Sequence, residues 1–162
     1  MKLPSKIVEI LNIFKKENID AYVVGGAIRD LVLGKKPGDF DIATSASPEI
    51  VQALFQDYPL VLIGVKHGTV GIFYHKTYVE VTTFRKEENY SDHRHPEKIS
   101  FINDLKADLS RRDFTINALA YKDKLYDYFG GLEDISKKII RTVGNPFLRF
   151  EEDGLRILRA LR

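Results

Sequence analysis

Cysteine is absent from this 162-residue chain, which excludes a disulfide framework, a thiolate metal site and a thiol nucleophile. No run of eighteen apolar residues occurs, so the sequence offers no membrane-spanning helix. The first stretch carries Glu9, Lys15, Lys16 and Glu17 in an amphipathic pattern. It lacks the apolar segment and small-residue cleavage site of a signal peptide, and a cytoplasmic location is the expectation. An excess of charge of one sign is also missing: 25 basic against 23 acidic residues leave a net charge of +2. That balance neither announces nor excludes a nucleic-acid partner. What is present is 44% hydrophobic and 30% charged residues, enough for a real core in one ordinary domain or two small ones.

The pattern along the chain predicts an α+β fold with a mixed sheet. Residues 5–18 read as an amphipathic helix with Ile7, Ile10, Leu11 and Phe14 on one face. Residues 21–24 form a short apolar strand that runs into Gly25-Gly26, and 27–33 form a short helix ended by Gly34. A strand is expected at 39–43. A helix starts at Ser47-Pro48, with Ser as N-cap and Pro in the first turn. Strands are expected at 60–63, 69–74, 77–84 and 125–129, a long polar loop at 85–98, and a short helix at 114–120. From Pro146 onward, Phe147, Phe150, Ile157, Leu158 and Leu161 recur at helical spacing as one apolar stripe. No stop signal follows that stripe, and the expectation is a helix that continues in a longer protein.

The acidic residues carry the chemistry. In a strand, Asp39 and Asp41 point to the same side while Phe40 points to the core. Two carboxylates that close repel one another unless a cation lies between them, and hard divalent cations take oxygen ligands. A bare pair is more commonly just a solvated strand start, so this spacing alone does not decide the matter. Glu80 lies inside the strand pattern 78–84, either on a wet face or as a third ligand from a neighbouring strand. Gly25-Gly26-Ala27-Ile28-Arg29-Asp30 is strand, double glycine, helix. Glycines allow a ligand close to the backbone, and the helix start offers free N–H groups to an anion.

Four motifs stand in one order: GGAIRD (25–30), DFDIATSA (39–46), RRDFTINALAY (111–121) and EEDGLR (151–156). With Glu80, they resemble the class II tRNA nucleotidyltransferases, the CCA-adding enzymes, and the related bacterial poly(A) polymerases of the DNA polymerase β-like superfamily. The resemblance implies a catalytic head over 1–135 and the start of a helical neck over 136–162. It implies Mg²⁺ on Asp39 and Asp41, with Glu80 as third catalytic carboxylate. It places Gly25, Gly26, Arg29, Arg111, Arg112, Asp113 and Asn117 around the nucleotide's phosphates and ribose. It makes Asp153, Arg156, Arg159 and Arg162 a base-reading helix for CTP and ATP.

The chemistry of that helix agrees. Asp153 and Arg156, three apart, share a helix face. A carboxylate and a guanidinium together match the amine donor and ring-nitrogen acceptor of cytosine and adenine. Simple ion pairs Arg149–Asp153 and Glu152–Arg156 are the alternative. The implied activity is addition of CMP and AMP to the 3′ end of tRNA. Poly(A) or A-only addition, and nucleotide or RNA binding with little catalysis, remain as alternatives. The loop with His93 and His95 resembles the family's flexible loop, associated with the final A addition, and His67 and His75 receive no role. Gly154 departs from a good helix former. A second copy or a missing C-terminal body and tail is expected to cover the apolar stripe.

Overall fold

The computed structural model describes residues 1–90 and 96–161, with Asn89 through its backbone alone. The elements run α1 (Ser5–Lys16), β1 (Ala21–Val24), α2 (Gly26–Val32), β2 (Asp41–Thr44), α3 (Pro48–Leu54), β3 (Leu60–Val61), β4 (Thr69–Tyr74) and β5 (Thr77–Thr83). They continue as β6 (Arg85–Tyr90), β7 (Pro96–Phe101), α4 (Leu105–Ser110), β8 (Leu119–Tyr121), β9 (Leu125–Asp127), α5 (Gly131–Lys137), α6 (Pro146–Glu152) and α7 (Leu155–Leu161). Seven strands form one sheet in the order β3-β4-β5-β2-β1-β8-β9, in which only β2 and β5 run parallel. This is the mixed α+β architecture that the pattern predicts. Among the described residues, no helix is long and apolar enough to cross a membrane.

Side-chain alternation splits the core between the two faces of the sheet. Val23 and Ile42 join Ile7, Ile10 and Phe14 of α1, Ile28 of α2 and Val51 of α3 in one buried cluster. Their neighbours Val24 and Ala43 join Phe84, Leu105, Leu109 and Val143 in a second. Three helices therefore cover the first face, whereas α4 covers only part of the second. The uncovered part of that second face is where Asp41 and Glu80 emerge.

Several elements differ from expectation, each for a physical reason. The described residues of the span 85–98 are not a loop: β6 and β7 pair antiparallel as a two-stranded sheet. Its strands are rich in charge, with Glu88 and Lys98 paired across them at 3.6 Å and Arg85 and Glu87 paired along β6 at 2.6 Å, and charged strands leave no apolar period to read. Residues 114–120 form a single 3-10 turn at Thr115–Asn117 and then β8, because β8 pairs with both β1 and β9. Two helices, α4 and α5, are additional; Asp104 caps α4 by accepting from Lys106 N and Ala107 N at 2.8 and 3.2 Å.

The closing helix is two helices. Asp153 takes an extended backbone, φ −147° and ψ 105°, and its Oδ1 accepts from Leu155 N at 2.9 Å. A side chain that caps the next helix ends the previous one. Gly154 therefore sits in the break rather than inside a helix, and its departure from a good helix former costs no helix stability there. The apolar stripe is largely open to solvent: Phe147 is 83% and Leu161 84% exposed.

The α5 helix fixes the turn that carries Asn117. Gly131 packs so closely on this turn that a Cβ would lie 2.3 Å from the Thr115 carbonyl oxygen. Thr115 Oγ1 donates to Asp134 Oδ2 at 2.6 Å. That bond, joined by Arg141 against the opposing effect of burial, holds the Asp134 carboxyl below its ordinary value.

Two predictions follow from this packing. Gly131→Ala should lower stability by about 1–3 kcal/mol in denaturant unfolding, while Gly154→Ala, where a methyl meets nothing within 4 Å, should change it by less than about 0.5 kcal/mol. Equal midpoints for the two variants would contradict the close packing. Because the folded-state value of Asp134 is depressed, its contribution is present above the ordinary 3.8 and is lost as pH falls through the depressed value. Asp134→Asn should therefore flatten the acid limb of the stability profile, and an unchanged limb would contradict the assignment.

Candidate active site

Strand register assembles the carboxylates. Val24 of β1 pairs with Asp41, and Asp41 pairs with Glu80 on the parallel strand β5. Directly paired residues project to the same face, so Asp41 and Glu80 stand side by side while the glycine loop begins just after Val24. The strand starts at Asp41, so Asp39 lies on the segment leading into it rather than within the strand. Asp39, Asp41 and Glu80 nevertheless line one cleft of about 1060 Å³.

Asp41 has exposed surface but sits deep in that cleft. Loss of solvent is the largest cause that raises its carboxyl above the ordinary range. The neighbouring charges of Asp39 and Glu80 raise it further, and Arg112 and Arg159 oppose them. A cation among these groups relieves the repulsion. Among the described residues, no three acidic or histidine side chains converge closely enough to cage a metal ion unaided. Such an incomplete donor set fits Mg²⁺, which commonly binds through one or two carboxylates and completes its shell with substrate phosphates and water.

Opposite the carboxylates lies a cationic rim. Gly25 has φ +77°, and a Cβ there would lie 3.1 Å from Arg112 Nη1; the position requires glycine for both its backbone and its neighbour. Arg29 donates through Nη1 to Asn117 Oδ1 at 2.8 Å and through Nε to Asp30 Oδ1 at 3.0 Å. Asn117 Nδ2 in turn donates to Asp113 Oδ1 at 3.1 Å. Gly25, Gly26, Arg29, Arg112, Asp113 and Asn117 all line the cleft.

Arg111 and Arg112 differ in kind. Arg111 Nε donates to the fully buried Asp108 at 3.0 Å, and its Nη1 to Glu87 of β6 at 2.9 Å. Arg111 is therefore committed to carboxylates. Burial works to raise Glu87, but Arg111 and Arg85 outweigh it and hold its carboxyl below the ordinary range. Arg112 Nη2 lies 3.8 Å from Asp108 Oδ2, and the buried Arg112 Nε has no hydrogen-bond partner among the described residues. Burial lowers its guanidinium, yet arginine stays charged. Arg112 is thus the less committed cation of the pair, and it lines the cleft with Nη1 beside Gly25.

The helices α6 and α7 dock through arginines. Arg156, 6% exposed, donates to Glu152 Oε2 at 2.7 Å, to the Arg149 carbonyl at 2.9 Å and to the Arg111 carbonyl at 3.3 Å. Arg159 Nε lies 2.8 Å from Asp113 Oδ2. Asp153, Arg156 and Arg159 line the cleft. Asp153 and Arg156 do not share one helix face, since Asp153 lies in the break and Arg156 keeps the Glu152 ion pair. Arg162, His93 and His95 lie outside the described residues.

Sequence reasoning missed Glu87 and Asp108, which order the arginines, and Tyr78, whose hydroxyl donates to Glu80 at 3.1 Å. The available signals were an acid three residues before the double arginine and a tyrosine two residues before Glu80, spacings meaningful only once helix and strand are assigned.

Known proteins share this arrangement. The poly A polymerase head domain matches residues 21–141. The CCA-adding enzymes of Bacillus licheniformis and Bacillus velezensis are 50% and 52% identical over 97% of this chain, which spans 40% of each relative's length. The Bacillus stearothermophilus CCA-adding enzyme in complex with CTP superposes over 99% of this chain and 39% of its own, at 44% identity and a TM-score of 0.88. The Thermotoga maritima CCA-adding enzyme complexed with tRNA does so over 98% and 37%, at 31% identity and a TM-score of 0.74. With β1 through α5 and the three carboxylates Asp39, Asp41 and Glu80 falling in the matched region, the chain belongs to the poly(A) polymerase head-domain family.

Proposed function

We propose that this chain supplies the catalytic head of an RNA nucleotidyltransferase that transfers CMP and AMP from CTP and ATP to the 3′ end of tRNA. The observation that carries the reading is the Asp41–Glu80 pair set directly beside a glycine and arginine rim in one cleft. The relatives' bound CTP and tRNA support the choice of substrates.

Gly25 and Gly26 bring backbone close to the triphosphate, and Arg112, with Arg29 held by Asp30 and Asn117, faces its charge. Asp39 and Asp41 would hold Mg²⁺, which would supply neutralisation of developing charge and a lowered pKa for a hydroxyl beside it. The RNA 3′ oxygen bonds to the α-phosphorus, the bond from that phosphorus to the bridging oxygen breaks, and pyrophosphate leaves toward Arg112. Glu80, on the far side of Asp41 from the arginine rim, takes the hydroxyl proton. Asp153 and Arg156 read the base, with Arg156 exchanging Glu152 for the nucleobase. Positioning and charge stabilisation supply most of the rate in such transfers.

A narrower reading, nucleotide binding without full CCA addition, draws on the same Arg156, whose guanidinium already has its partners. Ratios of labelled CMP to AMP incorporated into tRNA trimmed of its terminus separate the two.

Asp39→Ala and Asp41→Ala should each lower Mg²⁺-dependent incorporation by a hundredfold or more, on the order of several kcal/mol of charge stabilisation, without changing the far-ultraviolet circular dichroism. Undiminished incorporation in either variant would remove the metal assignment. Arg112→Ala should weaken CTP binding by roughly tenfold or more, the worth of charge-assisted hydrogen bonds, in a calorimetric titration. Arg111→Ala should affect stability more than CTP affinity, and the reverse order would contradict the division of roles between the two arginines.

A further inference from the structure

In an in-line displacement the attacking and leaving oxygens lie on opposite sides of phosphorus. The strand order is β4-β5-β2-β1, and the arginine rim lies at the β1 side of Asp41. The attacking hydroxyl must therefore arrive from the β5 and β4 side, across Glu80. That side of the sheet carries an unusual surface. Glu80 pairs with Gly71, and Tyr78 pairs with Phe73, all on the face of Asp41.

A glycine inside a strand has no side chain to pack, and it marks a close approach by another group. At Gly71, a Cβ would lie 2.6 Å from the Tyr78 hydroxyl and 2.8 Å from its ring. The tyrosine ring thus lies down on the sheet over Gly71, with its hydroxyl anchored on Glu80 at 3.1 Å. Phe73 packs beside it, ring centroids 5.0 Å apart. Both rings stay open to solvent, Tyr78 at 40% and Phe73 at 43% exposure. Burial of the aromatic pair is not what the fold gains from this arrangement.

We propose that Tyr78, with Phe73 beside it, is the stacking platform for the 3′-terminal base of the acceptor RNA, so that the adjoining ribose hydroxyl meets Glu80 and Asp41. This deepens the transferase reading and rests on it for the direction of attack. Aromatic faces accept any base, which suits a site whose occupant changes after every nucleotide added. Gly71 is the residue that permits the platform, and the Tyr78 hydroxyl ties it to the reacting carboxylates.

The test uses the full chain and an acceptor-stem hairpin RNA with 2-aminopurine as its 3′-terminal nucleotide. Stacking on Tyr78 should quench the probe in the wild type, and the same probe placed two nucleotides inward should be quenched less. Tyr78→Leu should restore the fluorescence and weaken RNA binding by about tenfold, with CTP affinity unchanged. Tyr78→Phe should keep the quench, because it keeps the ring. An unquenched terminal probe in the bound wild type overturns the proposal whatever the variants do. So does a Tyr78→Leu variant that binds and quenches like the wild type, or one that loses CTP and RNA affinity alike. A wild-type chain that binds no CTP instead overturns the transferase reading, and the quench is read independently of that result.

Discussion

The pairing of β2 with β5 is the constraint on which the rest of the site depends. It is the sheet's single parallel ladder, and it sets Asp41 against Glu80. A slip of one residue would send Glu80 to the opposite face, among the helices. That register is held by side chains of both cores: Ile42 and Val81 on the helix-covered face, Ala43 on the other. The antiparallel pairing of β1 then places Val24 beside Asp41, so the glycine turn opens beside the carboxylates. Burial of an ordinary hydrophobic core thus sets the spacing of charges that would otherwise repel.

Charge balance is the second layer. The acidic row of Asp39, Asp41 and Glu80 faces a rim in which each arginine has a different degree of commitment. Arg111 is bound to Asp108 and Glu87, Arg156 to Glu152 and Arg29 to Asp30. Among the described residues, the nearest ion-pair contact of Arg112 is the long one to Asp108, at 3.8 Å. Asp108, fully buried, is shared by Arg111, Arg112 and the backbone of Arg85, and it links the β6–β7 pair to the rim. The helices α6 and α7 join the same network through Arg149, Arg156 and Arg159, while their apolar side faces solvent.

Much of this was legible in the sequence. Gly25-Gly26 after an apolar strand, the Asp39–Asp41 spacing and Glu80 within a strand pattern are local signals, and all of these residues line the cleft. The pairing of β6 with β7 was not legible, because charged residues such as Glu87, bound to Arg111, replace the apolar alternation that marks a strand. The break at Asp153 was hidden for a similar reason: the stripe from Phe147 to Leu161 keeps helical spacing across it, and only the capping bond to Leu155 reveals the interruption. The division of labour between Arg111 and Arg112 depends on Asp108 and Glu87, 21 positions apart in sequence and joined only by folding.

The central claim is that two carboxylates and a nucleotide's phosphates together complete a divalent-cation site. Electron paramagnetic resonance of Mn²⁺, used as a Mg²⁺ substitute, measures this directly through the signal of the free ion. Uptake by the chain should be weak alone, tight with CTP present, and lost with Asp41→Asn in the presence of CTP. Uptake by Asp41→Asn that matches the wild type with CTP bound would contradict the account.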